Sequence, residues 1–82
     1  MTLADALTLK AEDVVILAAV PECGLPARQF LITYAAPAGE YAAHVSGFRV
    51  GADGRLDHSN KLSRPLDGGR ACMRAIKYWT KA

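Results

Sequence analysis

Apolar positions follow a helical spacing at both ends of this chain and a strand spacing in its middle. Leu7, Ala11, Val14, Leu17 and Ala18 fall on one helical face, which predicts a first helix capped by Thr8 and running to about Val20. Glu12 and Asp13 then lie near the positive end of its dipole. Val15 and Ile16 lie off that face, so this helix is either well buried or partly strand-like. Pro21 ends it, and Pro21 to Pro26, around Gly24, is a connector.

From Gln29 to Ala35 the period drops to two, with Phe30, Ile32 and Tyr34 on one side and Leu31 and Thr33 on the other. Ala36-Pro37-Ala38-Gly39 is a turn. A second strand is expected from Glu40 to about Val50, with Tyr41, Ala43 and Val45 on one face. Phe48 and Val50 then fall out of phase. An extra residue at Ser46-Gly47 would return them to the core side, so the pattern predicts a β-bulge there. Asp53-Gly54 is a hairpin turn. Arg55 to Ser59 is expected as a short edge strand whose charges discourage edge-to-edge pairing.

Asn60 to Pro65 reads as a basic loop. Ser63 or Asp67 caps a last helix expected to run to about Thr80, with Cys72, Ile76 and Trp79 as its buried seam and Ala75 beside it. Gly68 and Gly69 weaken its first turn by about 1 kcal/mol each, a cost that makes sense where backbone must come close to something. The expected fold class is α+β: one domain over residues 1–82, ordered helix, three antiparallel strands, helix. The helices cover one face of the sheet and leave the other open.

Composition turns attention to the outer surface. The chain is 51% hydrophobic and 22% charged, a globular balance. At this size roughly 120 kcal/mol of apolar burial opposes roughly 120 kcal/mol of chain ordering, which leaves little stability for an internal substrate cavity. The longest apolar run, Val14 to Val20, is seven residues, where a membrane-spanning helix needs about 20. Met1 to Lys10 carries Asp5 and no basic stretch ahead of an apolar run, so no secretory signal is expected. A cytosolic location with reduced Cys23 and Cys72 follows.

The net charge of +2 is unevenly spread: residues 1–41 hold two basic and five acidic side chains, residues 42–82 eight basic and three acidic. On the expected last helix, Arg70, Arg74, Lys77 and Lys81 fall within about 60° of one another, opposite the seam. No acid interrupts them. Like charges at this spacing repel, so the pattern predicts an anion-facing stripe, extended by Lys61 and Arg64 and flanked by Tyr78 as an interface anchor. An ordinary solvated helix face is the alternative.

Catalytic chemistry finds little footing. Asp57-His58-Ser59 holds triad residue types, but neighbours along a strand point to opposite faces. His44 is one position out of phase with Val45 and is expected to face solvent. Cys23, His44, His58 and Cys72 lack the paired C-x-x-C or H-x-x-x-H spacing of zinc sites. The glycines of Gly51-Ala52-Asp53-Gly54 and Asp67-Gly68-Gly69 match neither a phosphate loop nor a dinucleotide fingerprint. No catalytic residue, metal or cofactor is expected.

The helix–strand–strand–strand–helix order resembles the double-stranded RNA-binding domain over most of the chain. That resemblance implies phosphate contacts at the start of the last helix, here by Arg70 and Arg74. The family's Lys-Lys-x-Ala-Lys signature is replaced by Gly68-Gly69-Arg70-Ala71-Cys72. In type, as a tiny domain without catalytic motif and with charge on one side, the chain also resembles the small anti-CRISPR proteins of phages and mobile elements, which share no motif. This second resemblance implies a steric inhibitor in the host cytosol that binds a CRISPR effector complex and blocks target DNA binding or nuclease recruitment. Many such proteins are acidic mimics of DNA. The basic second half of this chain points instead to an acidic protein surface or guide RNA. The expected function is therefore non-enzymatic binding to a larger protein or ribonucleoprotein, with no membrane partner. A nucleic-acid-binding module is the alternative.

Overall fold

Val14, Val15 and Ile16 all branch at Cβ, which suits a pleated strand better than a helix, and they form one. In the computed structural model, which describes residues 1–82, helix α1 is only Leu3–Ala6. Thr2 opens it by accepting the Asp5 N–H at 3.1 Å. Thr8, expected to cap a long helix, donates its hydroxyl to the Asp5 carbonyl at 2.7 Å just after α1 ends. A turn then leads into strand β1, Val14–Leu17. The expected helix from Thr8 to Val20 is thus corrected to a turn and a strand. Val15 and Ile16, off the helical face, already marked the conflict.

After a single 3₁₀ turn at Pro21–Cys23, closed by Gly24 at φ 68°, the remaining elements are β2 (Arg28–Ala36), β3 (Ala43–Val50), β4 (Leu56–Leu66), α2 (Arg70–Ile76) and β5 (Trp79–Lys81). The strands form one antiparallel sheet in the order β4-β3-β2-β1-β5. This overturns the expected three-stranded sheet covered by two helices. The protein is mostly sheet, and α1 and α2, of four and seven residues, are too short to cover a face between them. The core lies on their side, where Ala6, Leu9, Cys72 and Ile76 pack with Val15, Phe30, Ile32 and Val45. No helix is long and apolar enough to cross a membrane.

The expected phase slip in β3 takes another form. Ala43, Val45 and Gly47 are buried in unbroken alternation, and Phe48 stays on the opposite face with His44 and Ser46. The extra residue belongs to β2: Ile32 pairs with Gly47 and Tyr34 with Ser46, so Thr33 is the bulge. Gly47 has a separate reason to be glycine. A Cβ there would fall on the Leu31 carbonyl oxygen, 2.8 Å from the Leu31 carbonyl carbon and 3.0 Å from the Ile32 Cα.

The Asp53-Gly54 turn forms, with Gly54 at φ 81° and its N–H donated to the Gly51 carbonyl at 2.9 Å. The short third strand and the basic loop after it do not. Both belong to β4, an 11-residue edge strand. Its register jumps from Arg49↔Asp57 to Phe48↔Lys61, which extrudes His58, Ser59 and Asn60. Asp57 organises the excursion. It accepts from the Ser59 hydroxyl (2.6 Å), the Ser59 N–H (3.0 Å) and the Asn60 amide (2.6 Å).

The last helix ends at Ile76, not Thr80. Neither cap expected for it is its N-cap, which is Gly69; Asp67 holds the Gly69 N–H at 2.8 Å just ahead of it. Gly68 takes φ 74° with Leu3 beside it, which accounts for the first glycine of the pair. Beyond Ile76, Trp79 is buried either as helix seam or as strand. The strand also satisfies the outer edge of β1, pairing Leu17↔Trp79, Ile16↔Thr80 and Val15↔Lys81. The Met1 nitrogen donates to the carbonyls of Ile76 (2.8 Å), Lys77 (3.2 Å) and Trp79 (2.9 Å), filling acceptors that a helix end leaves open.

Candidate functional site

The outward side of α2 keeps the strongest part of the expected stripe. Arg70, Arg74 and Lys77 are exposed opposite the buried Cys72 and Ile76. None of the three has an acidic partner, since the only ion pairs are Arg55–Asp53 and Lys81–Asp13. Met73 borders the same side, about 60° round the helix from Arg70, and is 42% exposed. Tyr78, in the turn after α2, is exposed as well, and the Lys77 Nζ stands 5.7 Å from its ring centroid, within range of a cation–π contact. The patch therefore joins three unpaired cations to a thioether and an aromatic ring. Sequence reasoning passed over Met73. Its signal was present, because a methionine three residues after Arg70 shares its face.

The other expected members go elsewhere. Lys81 is not on the helix. It sits on β5 with its Nζ 3.6 Å from the Asp13 carboxylate, which is itself largely buried. One acid of the N-terminal half thus neutralises the stripe's last cation. Arg64 pairs across β4 and β3 with buried Val45, so its stem lies on the core side and its Nε is buried without a hydrogen-bond partner. Lys61 pairs with Phe48 on the opposite face of the sheet. The predicted set therefore divides: Arg70, Arg74, Lys77 and Tyr78 come together, while Lys61, Arg64 and Lys81 do not join them.

The open sheet face carries a second pattern. Val14, Leu31, Phe48 and Lys61 form one row across four strands. The first three are half-buried. His58, carried on the extruded loop, folds over Phe48 with ring centroids 4.6 Å apart. Lower on the same face the Ser63 hydroxyl and His44 Nε2 lie 3.1 Å apart. No carboxylate hydrogen-bonds to that imidazole, so the third member that orients a catalytic base in a triad has no counterpart here. Asp57 instead bonds Ser59, and His58 packs at a tilt against Phe48, so the three neighbouring triad residue types serve the loop. The hydrogen bonds from the Ser59 and Asn60 side chains, then from the Ser59 N–H, hold the Asp57 carboxyl below its ordinary value of 3.8. Cys23 is exposed and Cys72 buried, both free, and no group of three or more His, Cys, Asp or Glu side chains gathers at metal-binding distance.

No protein-family model matches the chain, and neither a curated protein sequence nor a solved structure is found to be similar to it.

Proposed function

We propose that this chain is a non-enzymatic binding protein that acts by covering an acidic surface of a larger partner with the outward side of α2. The observation that carries the reading is the group Arg70, Met73, Arg74, Lys77 and Tyr78, exposed together with no acid paired to any cation. Arg, Met and Tyr are the residue types that concentrate at protein interfaces, where lysine and acids are depleted. Three like charges within eight residues raise the free energy of the isolated protein, and a negative partner removes that cost. The partner class implied by the chain's likeness to anti-CRISPR proteins is a CRISPR effector complex, with steric blockade of target DNA binding or nuclease recruitment as the mode of inhibition.

A phage plaque assay on hosts with CRISPR immunity of several types tests this. Expression of the chain is expected to restore plaques against at least one type. Unchanged immunity against all of them overturns the CRISPR reading. Nucleic acid is the competing ligand for the same cations. Binding to duplex DNA or RNA across a salt series distinguishes the two, because three phosphate contacts give a slope of about −2.7 in log K against log salt on B-DNA. Such a slope favours the nucleic-acid module. No binding at about 50 mM salt favours the protein partner.

A further inference from the structure

Strand β1 leaves part of its neighbour bare. β2 runs Arg28–Ala36, yet β1 pairs only with Arg28 to Leu31. Two more bonds hold Ile32: its carbonyl accepts the Glu12 N–H at 2.7 Å, and its N–H is donated to the Asp13 carbonyl at 2.8 Å. At that point the chain turns away. The Asp13 N–H bonds the Lys10 carbonyl at 3.1 Å, and the Lys10 N–H bonds Asp13 Oδ2 at 3.0 Å. Glu12, within this turn, has φ 78° and is the one non-glycine residue in the left-handed region, at a cost of about 1–2 kcal/mol. Tyr34 to Ala36 therefore pair with β3 on one side, with Thr33 bulged ahead of them, and on the other side the backbone of Thr33 to Ala36 meets no protein partner.

Beside this bare edge lies a groove of about 510 Å³, floored by Ala43, Val45 and Leu66 and walled by Ala6 and Leu7. The sequence left little expectation of such a space in so small a chain. Lys10 is the one charged residue lining it, and it has no ion-pair partner. The sheet's other long edge differs. β4 carries Pro65, Lys61, Arg64 and the extruded residues 58–60, all devices that discourage strand addition. Apart from the bulge at Thr33, the stretch Thr33 to Ala36 carries none: no proline, no charge and no extruded loop.

An unpaired strand edge calls for N–H and C=O groups at strand spacing. An extended polypeptide supplies them, and a lipid or small apolar molecule does not. We infer that the Thr33–Ala36 edge and its groove capture an extended peptide of another protein. About four residues, roughly 13 Å, match the edge. Alternate apolar side chains of the peptide enter the groove, and a carboxylate at one end meets Lys10. This site is separate from the α2 patch and does not rest on it.

The test is an NMR titration of the ¹⁵N-labelled full chain with a capped hexapeptide, one glutamate followed by alternating valine and threonine. Amide shifts are expected at Thr33 to Ala36 and along Leu7 to Ala11. Lys10→Glu is expected to weaken binding about tenfold, and N-methylation of the peptide amides that face β2 to abolish it. The double change Arg74→Glu, Lys77→Glu leaves peptide binding unchanged, which separates this site from the α2 patch. Absence of shifts at about 1 mM peptide, or shifts confined to β4, overturns the proposal. So does a dimer of the free chain that protects Thr33 to Ala36, because it assigns the edge to a second copy.

Discussion

Replacing Gly47 with alanine tests the packing of β3 on the bulge of β2. The added Cβ lands on the Leu31 carbonyl, with the Leu31 carbonyl carbon at 2.8 Å and the Ile32 Cα at 3.0 Å. All three atoms are main chain, so no side chain can swing aside to make room. Relief requires β2 and β3 to separate where Thr33 bulges. Overpacking of this kind costs about 1–3 kcal/mol, and loss of one adjoining ladder bond adds about 1 kcal/mol. Taken together, about 2–4 kcal/mol is lost from a domain whose total stability is about 4–12 kcal/mol. At about 4–8 °C per kcal/mol, Tm falls by at least about 8 °C. Far-UV circular dichroism melts of Gly47→Ala measure this against Gly39→Ala, where nothing lies within 4 Å of the added methyl. A Gly47→Ala melt within about 2 °C of the unsubstituted chain refutes the close approach.

Other expectations follow from the same geometry. A thiol reagent added to the folded protein is expected to label exposed Cys23 and to reach buried Cys72 only in denaturant; rapid labelling of both contradicts the packing of α2. Because the fold holds Asp57 below its ordinary value of 3.8, its ionised form stabilises the fold above that value. This contribution is lost as pH falls through 3.8 toward the lower folded value. Asp57→Asn is therefore expected to unfold more easily in urea at neutral pH and to lose less stability on acidification to about pH 3; an unaltered acid dependence contradicts this. Lys81→Ala is expected to cost about 0.5–1 kcal/mol through the lost Asp13 pair, read as a shift in urea midpoint, and to leave the proposed inhibition intact. Loss of inhibition at full stability would return Lys81 to the binding surface.

What could be read along the chain was what a short window decides. The alternation through Phe30, Ile32 and their neighbours placed β2 within a residue at each end, and Asp53-Gly54 placed the hairpin. Val14 to Leu17 satisfied a helical face and a strand equally well within their own window. The choice was made by β2, whose edge they pair. Trp79 was ambiguous in the same way, and the open edge of β1 drew it into β5. The irregularity near Gly47 was visible as a break in phase, but a bulge is a property of two strands, and the extra residue lies on the partner as Thr33. The cations divided along the same line. Arg70, Arg74 and Lys77 lie within or at the end of one real helix and keep the spacing of 3.6. Lys61, Arg64 and Lys81 took their faces from long-range pairing that no periodicity reports.

The docking surface proposed on α2 is tested most directly by the double change Arg74→Glu, Lys77→Glu, assayed for plaque restoration in a host type where the unsubstituted chain restores plaques. Both side chains are exposed, so Tm should hold within about 3 °C. The expected result is loss of plaque restoration by a protein that remains folded. Full inhibition by the folded double variant contradicts the account.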